Sequence, residues 1–263
     1  MTSFVEVDGA RLAYDVSGGV VGRGSAVLLL HAGIADRRMW DGQVAAWSAQ
    51  RQVVRLDFRG FGETRSGPGR VAHHADAVAV LDAAGMSEAV VIGASMGGAV
   101  AADLVLTYPE RVSGLVLSGS ALNGAEFTDA ATFDGWRDAG AAAEGGEFGR
   151  AAELEAAMWV PDATADVRRL VVEMLLPTYQ REEPDEEPVP DAAERLAEIG
   201  VPTLVIVGER DRPDILRFAD RLAAEIPAAS HLTLPGVGHL PNLEAPAAFN
   251  DAVTEFLAEI DER

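Results

Sequence analysis

The sequence predicts an α/β protein in which a mostly parallel sheet of eight strands is covered by helices on both faces. Patterns of short buried strands alternate with helical patterns along most of the 263 residues. This alternation is typical of parallel sheets covered on both sides. In addition, Gly93 and Gly97 bracket Ser95 between a predicted strand and a predicted helix, and such a strand–turn–helix unit is typical of this class. We expect a functional site beyond the carboxyl ends of the strands.

The chain begins with a predicted hairpin. Residues 3–7 and 11–16 alternate apolar and polar around Asp8-Gly9, a pattern typical of two antiparallel strands. Short apolar runs between turn residues predict six further strands. These are 26–31, 53–57, 89–94, 114–118, 203–208 and 230–234. Helical patterns between the strands predict helices near 39–50, 71–84, 96–107, 213–225 and 244–259.

The alternation stops between residues 120 and 197. That stretch has no clear strand pattern and is rich in alanine, glycine and acidic residues. We predict that 120–197 is a helical cap, inserted into a core formed by 1–119 and 198–263. The run of acidic residues and prolines at 181–188 is interpreted as a solvated hinge, with a cation-binding tail as the alternative.

Composition excludes several classes of function. The formal net charge of −21 argues against binding to nucleic acid or to an anionic membrane. The absence of cysteine excludes disulfides, thiol nucleophiles and thiolate metal sites. The chain has no lysine, so no mechanism uses a catalytic amine. Because it shows neither a basic, apolar leader nor an apolar run of membrane-spanning length, we expect a cytoplasmic protein.

Ser95 is the candidate nucleophile. A serine hydroxyl that points out of the edge of a sheet must stand on a tight turn, where side chains two residues before and after it would collide. Gly93 and Gly97 meet that requirement. The pattern alone is weak because the chain has 27 glycines, but the strand pattern of 89–94 and the helical pattern that follows strengthen it.

A serine nucleophile needs a histidine base. The chain has five histidines, and His239 is the candidate because it lies in a glycine-rich loop after the last predicted strand. His231 lies within that strand and is interpreted as structural. His31 is interpreted as a packed loop residue that hydrogen-bonds to backbone. His73 and His74 share a helix start, where a metal site is the lesser alternative.

The base needs an acid that orients it. Asp211 follows the predicted strand 203–208 after a short turn, so it would leave the sheet at the same edge as Ser95. Asp214, three residues further, is interpreted as a residue that caps the next helix. The other place for an acid is after the strand that ends at residue 118, but the sequence there, Gly119-Ser120-Ala121-Leu122, offers no carboxylate.

Four motifs at the predicted strand ends give the chain a resemblance to the α/β-hydrolase superfamily over essentially its whole length. They are His31-Ala32-Gly33-Ile34, Asp57-Phe58-Arg59-Gly60-Phe61-Gly62-Glu63-Thr64, Gly93-Ala94-Ser95-Met96-Gly97-Gly98, and the segment 236–246 with Gly238, His239, Glu244 and Pro246. The first has alanine where many members read His-Gly. The resemblance implies a Ser95–His239–Asp211 triad and an oxyanion hole formed by the backbone N–H groups of Ile34 and Met96.

The resemblance also implies an activity. The chain looks most like 3-oxoadipate enol-lactonases and neighbouring bacterial esterases, on the segment 238–250. We therefore expect a serine hydrolase that cleaves a small carboxylic ester or lactone through an acyl-enzyme intermediate, with no metal or organic cofactor. A carbon–carbon bond hydrolase with the same triad, and a slow-turnover ligand sensor, are the alternatives.

The substrate pocket is expected to be lined mostly by the cap. Its large apolar residues include Trp136, Met158 and Trp159, which predict a modest, apolar pocket with few polar anchors. An anionic substrate would need a cation there, and Arg137 or Arg150 could supply one, although exposure is the expected state of both. The expected partner is a small-molecule ester or lactone, and the protein is expected to be a monomer or homodimer.

Overall fold

The computed structural model describes residues 1–19, 24–67, 71–181 and 191–263. One sheet in the described residues contains eight strands. These are β1 (Ser3–Val7), β2 (Ala10–Ser17), β3 (Val27–Leu30), β4 (Val53–Leu56), β5 (Ala89–Ala94), β6 (Val112–Ser118), β7 (Thr203–Gly208) and β8 (Ala229–Leu234). Their order in the sheet is β1-β2-β4-β3-β5-β6-β7-β8. Strand β2 is antiparallel to β1 and β4, and every other neighbouring pair is parallel, which confirms the predicted architecture.

Helices connect the strands. They are α1 (Asp41–Trp47), α2 (His73–Ala83), α3 (Met96–Thr107), α4 (Ala130–Glu144), α5 (Phe148–Trp159), α6 (Ala165–Leu175), α7 (Pro213–Glu225), α8 (Pro241–Glu244) and α9 (Pro246–Asp261). Within the described ranges, none of them is both long enough and apolar enough to cross a lipid bilayer. Helix α1 is shorter than predicted because its first turn is replaced by a 3₁₀ turn at Arg37–Trp40, which the Asp36 side chain caps.

Three of these helices, α4, α5 and α6, lie between β6 and β7 in the region where the sequence predicts a cap. Side chains begin two of them: Asp129 accepts a hydrogen bond from the backbone N–H of Thr132, and Thr164 accepts one from that of Val167, as helix N-caps do. The bounds 120–197 stay a prediction. Of the acidic run at 181–188, all but Arg181 lies outside the described residues.

The strands at the centre of the sheet are buried on both faces. Every residue of β3, β5 and β7 is buried, because helices cover both sides of a doubly wound sheet. This is why these strands read as unbroken apolar runs. The outer strands β1 and β8 are largely exposed. The carboxyl ends of β3, β5 and β7 therefore emerge from strands that are buried along their whole length.

His31 joins two loops at this edge. It is fully buried, its Nδ1 lies 2.8 Å from the carbonyl oxygen of Ala32, and its Nε2 accepts a hydrogen bond from the backbone N–H of Phe58 at 3.0 Å. Burial lowers the pKa of His31, so the neutral ring fills a structural role. His31 therefore links the end of strand β3, at Leu30, to the loop that follows β4.

A buried ion pair fixes the loop after β4 to helix α2. Arg59 donates from Nε to Asp76 Oδ2 at 2.8 Å and from Nη2 to Asp76 Oδ1 at 2.7 Å. The two side chains are only 2% and 3% exposed. Asp76 stands next to His73 and His74, where the sequence left a metal site as the lesser alternative. The Asp76 carboxylate instead accepts a bidentate pair of hydrogen bonds from the Arg59 guanidinium.

Replacing Asp76 by alanine should destabilise the fold strongly, because it leaves the buried Arg59 charge without its carboxylate. Breaking one side of a buried pair costs about 3–5 kcal/mol, and urea unfolding followed by circular dichroism measures it. The matched control is Asp166→Ala, which removes the exposed partner of Arg169 on α6 and should have a far smaller effect. Equal stabilities of the two variants would contradict the assigned role of the pair.

Candidate active site

Ser95 stands on a strained turn between β5 and α3. Its φ is 51° and its ψ is −115°, and Asp8 is the one other non-glycine residue with a positive φ in the described ranges. A Cβ on Gly93 would lie 2.1 Å from the carbonyl oxygen of Gly97, and a Cβ on Gly97 would lie 2.3 Å from that of Leu30. Both positions therefore require glycine. Such strain persists only where the surroundings enforce it, and it occurs often at functional sites.

A second element of the site is a buried pair formed by His239 and Asp211. The Nδ1 atom of His239 lies 2.9 Å from Oδ1 and 3.0 Å from Oδ2 of Asp211. Asp211 Oδ1 also accepts the backbone N–H of Arg212 at 2.7 Å. Since a carboxylate only accepts, the neutral form of the imidazole carries its proton on Nδ1 and has a lone pair on Nε2. Asp211 thus fixes both the tautomer and the orientation of the ring.

The loop that carries His239 is fixed on both sides by Glu244 of helix α8. The Glu244 carboxylate accepts the backbone N–H of Gly238 at 3.1 Å and that of Leu240 at 2.9 Å. These two residues flank His239 directly. The sequence marked Glu244 only as part of a motif, whereas the structure shows how it holds the imidazole in place.

Gly119 is a site residue that the sequence did not reveal. It follows β6 with a φ of 50°, and a Cβ on it would lie 2.7 Å from the carbonyl oxygen of His239 and 3.2 Å from Asp211 Oδ2. The residue before it, Ser118, accepts the backbone N–H of Ser95 at 3.0 Å. The end of β6 therefore passes between the serine turn and the His239–Asp211 pair. The one feature of the sequence that could have indicated this role is the presence of a glycine directly after β6, the strand beside β5.

Ser95 lines a cavity of about 320 Å³ between the sheet edge and the cap. Its larger walls are apolar and consist of Ile34, Met96, Phe127, Trp136 and Trp159. Trp136 and Trp159 thus lie where the sequence places pocket residues. Met158 is not part of these walls, because it packs between cap helices: a Cβ on Gly135 of α4 would lie 2.2 Å from its sulfur. A larger groove, between α5 and α6, contains none of the serine, histidine and aspartate.

Trp159 connects the cap to the imidazole. Its ring centroid lies 4.3 Å from that of His239, with 32° between the ring planes, and the indole is buried. Aromatic contacts at this spacing contribute beyond their buried area. The His239 ring is therefore held by a carboxylate at Nδ1 and by an indole against its face.

Two backbone donors lie beside Ser95. Among the described residues, the N–H groups of Ile34 and Met96 donate no backbone hydrogen bond, and both residues line the cavity with Ser95. Met96 is also the first residue of α3, where the helix dipole favours an anion. The hydrogen bonds of the described chain do not include one from Ser95 Oγ to His239 Nε2.

Asp214 serves the cap rather than the imidazole. It accepts the backbone N–H groups of Thr128 and Asp129, each at 2.7 Å, and pairs with Arg217 on its own helix α7. Burial acts to raise the pKa of Asp214, but these hydrogen bonds outweigh it and hold the pKa well below its usual range. The carboxylate thereby ties the start of α7 to the segment that leads into α4.

Known proteins resemble this chain in sequence and in fold. The family model described as the alpha/beta hydrolase family matches residues 27–252, and the chain belongs to that family. It is 32% identical to 2-hydroxymuconate semialdehyde hydrolase of Pseudomonas putida, with 91% of this chain and 89% of that protein covered. It is 27% identical to 3-oxoadipate enol-lactonase 2 of Acinetobacter baylyi, with 82% of each covered.

Solved structures have the same fold as this chain. A thermophilic esterase from Thermogutta terrifontis superposes with a TM-score of 0.82 at 26% identity, with 99% of each chain covered. These findings confirm the superfamily and the fold that the four motifs predict. The relatives are hydrolases, which supports a hydrolase function for this chain.

Replacing Gly119 by alanine should disturb the His239–Asp211 pair. A side chain at a position with positive φ and no free space should lower the free energy of unfolding by about 1–3 kcal/mol, which urea unfolding measures. The proton NMR resonance of His239 Nδ1–H should also shift. Gly140→Ala on α4 is the control, because a Cβ there meets nothing within 4 Å. That variant should be about 0.5–1 kcal/mol more stable than the parent. A Gly119→Ala protein with unchanged stability and resonance would contradict the assigned packing.

Proposed function

We propose that this protein is a serine hydrolase that cleaves a small carboxylic ester or lactone. The observation that carries the proposal is the pairing of buried His239 with Asp211 at 2.9 Å, at the same sheet edge as a serine on a strained turn. In this proposal Ser95 is the nucleophile, His239 the general base and Asp211 the group that orients the base.

The reaction would follow from the free Nε2 of His239. Nε2 takes the proton of Ser95 Oγ as the oxygen attacks the substrate carbonyl, and the resulting imidazolium is stabilised by Asp211. The oxyanion accepts hydrogen bonds from the N–H groups of Ile34 and Met96, each worth about 3–4 kcal/mol of the barrier. His239 then protonates the leaving alkoxide, and water releases the acyl group by the same steps in reverse.

The proposal requires Ser95 Oγ and His239 Nε2 to come within hydrogen-bond distance when substrate is bound. Catalytic hydrogen bonds are often long in a free enzyme and tighten in the substrate complex. The indole of Trp159 and the two hydrogen bonds of Glu244 restrain the imidazole and its loop, so in this proposal the contact forms without a rearrangement of the His239 loop.

The cavity supports small, largely apolar substrates. A volume of about 320 Å³ lies at the lower end of the range for small-molecule pockets, about 300–1,000 Å³. The likeness to an enol-lactonase and to an esterase supports the choice of lactones and esters over other carbonyl compounds.

Carbon–carbon bond hydrolysis is the second candidate. It is favoured by the 32% identity to 2-hydroxymuconate semialdehyde hydrolase, because the same three side chains could act on a ketone. Incubation with 2-hydroxymuconate semialdehyde distinguishes the two candidates, because its hydrolysis removes its absorbance. A kcat/KM for this compound higher than for any ester tested would favour carbon–carbon bond hydrolysis.

Hydrolysis of p-nitrophenyl esters and simple lactones should depend on Ser95. We expect many turnovers per molecule, and Ser95→Ala should lower kcat by at least about 10³-fold, as removal of a nucleophile does in serine hydrolases. Ser87→Ala, at an exposed serine before β5, is the control and should leave kcat unchanged.

Circular dichroism verifies that both variants are folded. A Ser95→Ala protein that retains a tenth of the parent rate would contradict the proposal. One stalled adduct per molecule, with no further turnover, would favour a ligand sensor instead.

A further inference from the structure

The cavity at Ser95 contains one ionisable side chain among its described walls, and it is acidic. Glu155 of α5 lines the cavity together with Ser95, Trp136 and Trp159. The remaining lining residues are uncharged. Among the described residues, the pocket that would hold the substrate thus has one carboxyl group and no cationic side chain.

Glu155 forms no ion pair in the part of the chain that the structure describes. Among the described residues, no arginine lies within salt-bridge distance of its carboxylate. The two arginines that could have supplied a cation are exposed and engaged elsewhere: Arg137 pairs with Asp134 and Asp138, and Arg150 pairs with Glu147. Burial raises the pKa of Glu155, because the walls solvate the carboxylate poorly, and its interaction with Tyr179 opposes that rise by favouring the charged form.

Glu155 also lines a second cavity, of about 460 Å³, which shares Gly33 with the first. Tyr179 stands in this second cavity, and its pKa is raised by burial and by the charge of Glu155. The other charged groups there are Glu144 and Arg181, and Arg181 donates to the carbonyl oxygen of Gly62 at 2.6 Å. The Glu155 carboxyl group therefore stands where the two cavities adjoin, beside a substrate chain that extends from Ser95 toward the second cavity.

We propose that Glu155 determines substrate specificity by excluding acyl groups that carry a carboxylate and admitting neutral ones. The inference rests on the proposed function and narrows its substrate class. Two like charges repel strongly in a poorly solvated cavity, where the effective dielectric constant is far below that of water. Among the described walls of the Ser95 cavity no cation is present, so a substrate carboxylate there would in addition lose its hydration without gaining a positive partner. The substrate of this chain would then differ from that of 3-oxoadipate enol-lactonase 2 of Acinetobacter baylyi, because the lactone in that protein's name carries a carboxylate.

Two esters of nearly equal shape test the proposal. p-Nitrophenyl pentanoate ends in a methyl group, and mono-p-nitrophenyl glutarate ends in a carboxylate at the same place. We expect the parent protein to prefer the neutral ester by at least about 30-fold in kcat/KM, as one pair of like charges in such a cavity would give. Glu155→Gln should lower this ratio at least tenfold, mainly through a lower KM for the glutarate ester.

Glu153→Gln is the matched control, because it removes the same charge from an exposed position of α5 outside the cavity, and it should leave the ratio unchanged. An unchanged ratio in Glu155→Gln, or a parent protein that prefers the glutarate ester, would overturn the inference while leaving the proposed hydrolase intact. If neither ester is hydrolysed, the proposed function fails.

In that case binding still decides the role of Glu155. In a Ser95→Ala background, quenching of tryptophan fluorescence by each ester reports affinity without turnover, since Trp136 and Trp159 line the cavity. Tighter binding of the pentanoate ester, with the difference largely lost in Ser95→Ala/Glu155→Gln, would support exclusion of anions. Equal affinities in both backgrounds would refute it.

Discussion

The site depends on one backbone constraint, the close approach of helix α3 to strands β3 and β5 at the turn that carries Ser95. The helix can begin directly at the end of β5 only because residues 93 and 97 have no Cβ, since either atom would lie within 2.3 Å of a carbonyl oxygen. The turn is also anchored laterally, because the Ser95 N–H donates to Ser118 at the end of β6. Strands on both sides of β5 therefore hold the strained serine, so its positive φ is imposed by the sheet and not by the local sequence alone.

The same sheet edge brings the other groups together. Parallel register places the ends of β5, β6 and β7 side by side, so Ser95, Gly119 and Asp211 leave the sheet in neighbouring positions although they are far apart in the chain. His239 reaches this edge from the loop after β8, which Glu244 fixes from both sides. The cap adds Trp159 against the imidazole, so a movement of α5 would act directly on His239. The cavity and the histidine thus share one cap helix.

Local motifs carried most of what the sequence could predict. The Ser95 turn, Asp211 after β7 and His239 after β8 each combine a chemical residue type with a strand end, and both signals lie within a few residues of sequence. Gly119, Glu155 and the Trp159–His239 contact could not be found in this way. Their roles come from what packs against them across the cap and the sheet. Met158 illustrates the same limit. The sequence predicts it as a pocket residue like its neighbour Trp159, but its side chain packs against Gly135 of α4, where the missing Cβ leaves room for it.

A crystal structure of the protein after reaction with a p-nitrophenyl alkylphosphonate would test the central claim most directly, because the bound phosphonate imitates the tetrahedral intermediate. The account predicts a bond from phosphorus to Ser95 Oγ, with the phosphoryl oxygen about 2.7–3.1 Å from the backbone nitrogens of Ile34 and Met96. His239 Nε2 should lie within hydrogen-bond distance of Oγ, with Asp211 still bound to Nδ1. Phosphorus attached to another residue, or an imidazole turned away from Ser95 in the adduct, would contradict the account.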